Sequence, residues 1–147
     1  MPDLFYERHV RHLPERMFDL IGDLESYPRF IPNCKSMAVK PDREAAGDVS
    51  LAKMTIGFGP ITQSYTSRVT RDPAALTITA RAIDGPFDYL DSKWSFAREG
   101  QGTRVRFDID FKFNNALIAK VAEPAFAAKQ GEIMEAFAEE ADRRYGD

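Results

Sequence analysis

Val105, Phe107, Ile109, Phe111 and Phe113 alternate with Arg104, Arg106, Asp108, Asp110 and Lys112. Successive strand side chains point to opposite faces, so this period-two pattern predicts a strand with one dry and one wet face. The same texture, less strict, runs back to Cys34. Met37 and Val39 alternate with polar neighbours before Pro41, and Met54, Ile56 and Phe58 share a side within 48–58. Residues 61–70 are rich in Thr, Tyr and Val, which suit a pleated surface. Leu76, Ile78 and Ala80 share one face, as do Leu90, Trp94 and Phe96. Gly57 with Gly59 and Pro60, then Asp72-Pro73, Gly85-Pro86, and Gly100 with Gly102, punctuate these runs as turns. The region reads as a run of about six strands.

Outside that region the pattern changes. Residues 4–13 read as a first, mixed strand. Pro14 sits where the first turn of a helix accepts proline, and Met17, Phe18, Leu20, Ile21 and Leu24 follow at helical spacing. Gly22, Pro28 and Pro32 stop any long helix, so 24–32 reads as a second short helix or tight turns with Tyr27, Phe30 and Ile31 as its apolar face. From Asn114 or Asn115 to the end the pattern is helical. Pro124 is expected to divide a short entry helix from a longer one, because it cannot donate an interior helical hydrogen bond. Phe126, Ile133, Phe137 and Ala141 form an apolar stripe with Met134 beside it, and Glu132, Glu135 and Glu139 lie opposite.

The order is strand, two short helices, about six strands and one long C-terminal helix, which predicts a single α+β domain over 1–147. A single-faced antiparallel sheet must cover its apolar side, and one helix is the only large element available to do so. A curved sheet wrapped around one helix does not close tightly at both ends. The short helices cover one opening, and an interior space lined by the apolar faces is expected. A solid core would use the same residues; the architecture is what favours a pocket.

Composition changes this picture little. The chain is 44% hydrophobic and 29% charged, ordinary for a globular protein, but eleven Phe, five Tyr and one Trp are many aromatics for 147 residues. A net charge of −3 argues against broad nucleic-acid binding, so no DNA partner is expected. Cys34 is the only cysteine, which rules out an intrachain disulfide and fits a reducing compartment. No apolar h-region marks residues 1–10, and no run approaches the ~18 apolar residues of a membrane span, so a cytoplasmic protein is expected.

Candidate chemistry is sparse. His9 and His12 are the only histidines; three apart in a strand, they would point to opposite faces, and both read as surface residues. Cys34 has no histidine near it in sequence and reads as a small buried hydrophobe. Arg68, Arg81, Lys93, Arg104, Arg106 and Lys112 read as a solvated outer sheet face, diluted by aspartates. No metal-ligand spacing and no phosphate-binding loop is present, so no catalytic residue, metal or catalytic cofactor is assigned.

One stretch is informative beyond its pattern. Tyr27-Pro28-Arg29-Phe30-Ile31-Pro32-Asn33-Cys34 resembles the Tyr-Pro-x-Phe-aliphatic-Pro-x-Cys hallmark of the coenzyme Q-binding (ubiquinone-binding) family. That family is a branch of the START-like, polyketide cyclase/dehydrase-type helix-grip proteins. Gly85-Pro86-Phe87 followed by Leu90 and Trp94-Ser95-Phe96 is similar to a second family segment, and the strand over 108–113 fits a third. The Ala-rich stretch 116–128 with Pro124 departs from the family's more continuous helix.

The resemblance implies a START-like helix-grip fold holding a hydrophobic ligand, ubiquinone, in the internal cavity, as a lipid carrier or chaperone supporting respiratory electron transfer. It also implies transient contact with a membrane, at its inner face, or with a respiratory complex. The family includes ribosome-association toxins, so a ribosome-binding regulator is the alternative; an aromatase/cyclase-type enzyme ranks third, because acid–base chemistry needs polar groups inside the cavity. The ligand-binding set expected from the apolar faces and the motif is Phe30, Ile31, Met54, Ile56, Phe58, Leu90, Trp94, Phe96, Phe107, Ile109, Phe111, Ile133 and Phe137.

Overall fold

In the computed structural model, which describes residues 3–44, 46–58 and 61–146 with the side chains of Phe58 and Ile61 excepted, strand β1 (Asp3–Val10) leads into helix α1 (Pro14–Gly22) and a 3-10 helix (Leu24–Arg29). Six strands follow: β2 (Cys34–Pro41), β3 (Val49–Phe58), β4 (Ile61–Asp72), β5 (Thr77–Ala82), β6 (Phe87–Glu99) and β7 (Gly102–Phe113). Helix α2 (Ala116–Tyr145) ends the chain. The strands form one antiparallel sheet in the order β1-β7-β6-β5-β4-β3-β2. Consecutive strands from β2 to β7 pair as neighbours, and the two short helices carry the chain from one sheet edge to the other. The expected α+β helix-grip architecture is what the structure shows.

The strict alternation of β7 appears as expected: Val105, Phe107, Ile109, Phe111 and Phe113 are buried, while Arg104 and Lys112 face solvent. Charges on the wet face pair with one another, Arg104 with Glu99 (2.7 Å), Arg106 with Asp108 (2.8 Å) and Arg81 with Asp91 (2.9 Å). Exposed pairs of this kind add little stability and account for the basic residues as a solvated face. The turn at Gly59 and Pro60 lies outside the described residues.

Two expectations are corrected. Pro124 does not divide the C-terminal helix, because α2 is continuous over thirty residues. The ring lies on the exposed side, where the carbonyl it leaves unpaired can be hydrated, while Ala122 and Phe126 on either side of it are buried and hold the helix to the sheet. Asn115 caps the start, its side chain accepting from the Leu117 N–H (2.8 Å) and the Ile118 N–H (3.2 Å). His12, expected on the surface, is buried. β1 ends at Val10, so His12 lies beyond the strand and is not bound to its alternation; the chain turns and His12 faces α2, where its Nε2 meets the Asp142 carboxylate at 2.7 Å. His9 remains exposed, as expected.

α2 is held along one flank. The Tyr6 hydroxyl donates to the Ala127 carbonyl (3.3 Å), Arg8 pairs with Glu135 (2.7 Å), His12 meets Asp142, and the Tyr145 hydroxyl donates to the Arg16 carbonyl (3.2 Å). These ties run to β1, to α1 and to the turn between them. They seat the helix across the concave face of the sheet and leave the floor formed by β3–β6 to be covered by side chains alone.

Candidate ligand cavity

Two aromatic plugs fill the ends of the space between sheet and helix. At one end Phe87, Phe111, Phe113 and Phe126 pack ring to ring, with Phe111–Phe126 and Phe87–Phe113 centroids both 4.7 Å apart. At the other, Phe96 meets Phe18 of α1 edge-on (6.2 Å), with Met17 and Val105 buried beside them. Between the plugs the sheet floor is built from small side chains. Ala52 on β3 lies opposite Ser67 on β4, and Ala80 on β5 opposite Ser92 on β6. Large residues on both sides and small ones in the middle leave a cavity of about 120 Å³, lined by these four positions among others.

The walls are mostly apolar. Trp94 stacks on Phe107 (4.2 Å between centroids) and meets Phe137 edge-on (5.2 Å). Ile109 and Leu90 continue that wall, Met54 and Ile56 form the opposite one, and Phe126, Ile133 and Phe137 of α2 form the roof. Tyr27, Ile31, Pro32, Asn33 and Cys34 close the remaining side where the 3-10 helix turns into β2. The Tyr-Pro-x-Phe-aliphatic-Pro-x-Cys segment is therefore both a structural corner and a cavity wall. Asn33 makes the corner with a positive φ of 69°, its Nδ2 donating to the Gly57 carbonyl (2.7 Å). Asparagine tolerates this left-handed conformation better than most side chains.

Of the thirteen residues expected to contact ligand, nine line the cavity: Ile31, Met54, Ile56, Leu90, Trp94, Phe107, Ile109, Ile133 and Phe137. Phe96 and Phe111 share the dry face but sit in the two plugs, packed by other rings. Phe30 lies on the outer side of the corner and supports the roof from behind, its ring 5.4 Å from that of Phe137. Phe58 ends β3, and its side chain lies outside the described residues.

Sequence reasoning missed the polar groups in the wall. Tyr65, Ser67 and Val69 share one parity on β4 and all face the cavity, although residues 61–70 carry no clear apolar alternation. Gln130 falls on the apolar stripe itself, four residues after Phe126 and seven before Phe137, so a polar residue on a dry stripe was the available signal. It is buried, with its Nε2 donating to the Phe126 carbonyl (2.9 Å). Tyr65 is held against Gly85, whose φ is +106°; a Cβ there would come within 2.4 Å of the Tyr65 Cβ, so only glycine lets the β5–β6 connection pass.

Burial governs the titration of these groups. The Cys34 thiol is pushed up to about 11 by desolvation. Burial, with the neighbouring Cys34 adding to it, holds the Tyr27 and Tyr65 hydroxyls well above the ordinary tyrosine value. All three stay protonated at neutral pH, and no carboxylate or imidazole is among the described lining residues. Lys129, the one basic residue among the described lining residues, pairs with Glu132 (3.2 Å), so the cavity offers chiefly hydrogen bonds and apolar surface. Among the described residues, no three His, Cys, Asp or Glu side chains come together as a metal site. Among the described residues, no helix is long and apolar enough to cross a membrane.

The chain is similar to the ribosome association toxin RatA of Rickettsia prowazekii, with 30% identity over 127 residues, 84% of this chain and 85% of the relative. It is also similar to the mitochondrial coenzyme Q-binding protein coq10 of Schizosaccharomyces pombe, with 29% identity covering 91% of this chain and 83% of the relative. Among solved structures, the Zhui aromatase/cyclase from Streptomyces sp. R1128 superposes with a TM-score of 0.86 at 16% identity, covering 98% of this chain and 95% of that one. This last likeness is one of fold. Residues 10–138 match the family described as polyketide cyclase/dehydrase and lipid transport, and the chain, with its START-like helix-grip fold, belongs to that family.

Proposed function

We propose that this protein binds ubiquinone in the central cavity and carries it, as a lipid chaperone supporting respiratory electron transfer. The observation that supports this most is the ring-sized apolar space between the two aromatic plugs, in a chain similar to a coenzyme Q-binding protein. Its 120 Å³ is small beside the ~300–1,000 Å³ of typical ligand pockets. The quinone ring therefore occupies the cavity, and the isoprenoid tail leaves past the corner at Pro32 and Asn33 or enters as the wall opens. Binding draws on apolar area at about 25 cal/mol per Å², before ordering costs. The test is native mass spectrometry and solvent extraction of the protein purified from its own host. A co-purifying quinone supports the reading; a protein that stays empty after incubation with quinone sinks it.

A second reading rests on the similarity to RatA: a regulator that associates with ribosomes through its surface. Co-sedimentation separates the two. Salt-sensitive association with ribosomal subunits supports this reading, and none at low salt removes it. An aromatase/cyclase-type reaction finds less support, because the lining groups Tyr27, Cys34 and Tyr65 are held in their neutral forms at pH 7 and Lys129, also in the lining, pairs with Glu132 (3.2 Å).

A further inference from the structure

The polar groups in the cavity wall are not equivalent, and the difference bears on which form of a quinone fits. Ser67 and Ser92 bring hydroxyls that can donate or accept and so set no preference. The Tyr65 hydroxyl donates only to the Met54 sulfur at 3.5 Å, a weak acceptor, and is available to a ligand oxygen. Trp94 adds an indole N–H that donates to no described residue. Gln130 differs from all of these. The residue is only 4% exposed, and its amide N–H₂ donates to the Phe126 carbonyl. What remains is Oε1, which accepts no hydrogen bond from any described residue. Flipping the amide would set Oε1 against the Phe126 carbonyl oxygen, acceptor against acceptor. Asn33 has its Nδ2 committed in the same way, to Gly57, but at the half-buried corner.

We propose that Gln130 Oε1 selects the reduced form of the ligand, accepting a hydrogen bond from a quinol hydroxyl that an oxidised quinone cannot supply. The inference rests on the quinone-carrier reading. A quinol ring filling a space of about 120 Å³ touches the wall on every side, so one hydroxyl can reach Gln130 while ring oxygens accept from Tyr65 or Trp94. A quinone offers acceptors only. Its carbonyls can accept from Tyr65, Trp94, Lys129 or the serines. The ring oxygen beside Gln130, however, sets acceptor against acceptor and leaves Oε1 unmet in a space the ring has closed to water, and unmet buried polar groups are costly. The protein would then take up reduced quinol in preference to the oxidised form.

The test is a direct competition. Protein is incubated anaerobically with equal amounts of decylubiquinol and decylubiquinone, desalted and extracted, and the two forms are quantified. The wild-type protein should retain quinol over quinone by about tenfold, equivalent to ~1.4 kcal/mol. Gln130→Met and Gln130→Leu, checked for folding by circular dichroism, should bring the ratio close to one, chiefly through lost quinol. Equal retention of both forms by the wild type overturns redox selection and leaves the carrier reading intact. Retention of neither removes the carrier reading itself. Quinol enrichment that persists in both folded variants overturns the role of Gln130.

Discussion

Ser92→Leu should fill the cavity from its floor. Ser92 sits between Leu90 and Trp94 on the inward parity of β6, opposite Ala80 and Ile109, at the point where the wall is thinnest in side-chain volume. Empty space of this kind is itself a cost, of about 24 cal/mol per Å³, so a cavity of 120 Å³ corresponds to roughly 3 kcal/mol of packing that the fold forgoes. A leucine side chain occupying half of that space would recover about 1.5 kcal/mol. For a chain of this length that raises the melting temperature by roughly 3–6 °C. Ligand retention should fall at the same time, because the ring and the leucine compete for one volume. Thermal unfolding followed by circular dichroism, beside extraction of bound quinone, measures both. A variant destabilised by more than about 1 kcal/mol, as overpacking would produce, refutes the claim that the space is there. A more stable variant that still holds quinone as the wild type does refutes the claim that this space is the ligand site.

Tyr27→Phe should cost about 0.5–1.5 kcal/mol in urea unfolding, since the Ile21 carbonyl loses the hydroxyl donated to it, whereas Tyr65→Phe, whose hydroxyl meets only sulfur, should cost less and weaken ligand binding instead. Cys34 should resist iodoacetamide at pH 8 in the folded protein and react on unfolding, as mass spectrometry will show. Its thiol stays protonated to about 11 in the folded state against 9.0 ordinarily, so its contribution is full below pH 9 and is lost between 9 and 11. Asp142→Asn should lower the urea midpoint, because buried His12 loses its carboxylate partner. The His12 hydrogen bond and nearby arginines hold Asp142 below the ordinary carboxylate value, so this difference should be full at neutral pH and shrink as pH falls below ~4.

Strong local periodicity made most of the fold legible. β7 could be placed from its alternation alone, since a strand with one buried face admits no other register without exposing five large apolar side chains. The helical spacing of Met17, Phe18, Leu20 and Ile21 and the proline at its start located α1 in the same way. The nine expected contacts that line the cavity were legible as members of apolar faces, because a lining residue and a core residue obey the same rule of burial. That shared rule is also why Phe96 and Phe111 could not be told from them. Whether an inward ring meets another ring or an empty space depends on what the facing element brings to it, and Phe18 and Phe126 arrive from distant parts of the chain.

The amino-acid sequence by itself determined the element order, the dry face of the sheet and the apolar stripe of α2, all of which follow from interactions within a few residues. It also determined the small residues at 52, 67, 80 and 92, but only strand pairing shows that they meet on one floor. Tertiary structure decided the rest. It kept α2 unbroken through Pro124 by placing the ring toward solvent, and it buried His12 against Asp142, a residue 130 positions away. It also turned Tyr65 and Gln130 into the same cavity. The physical reason is common to all of these: periodicity reports which way a side chain points from its own element, while the neighbour it meets is set by how the curved sheet and the helix close on each other.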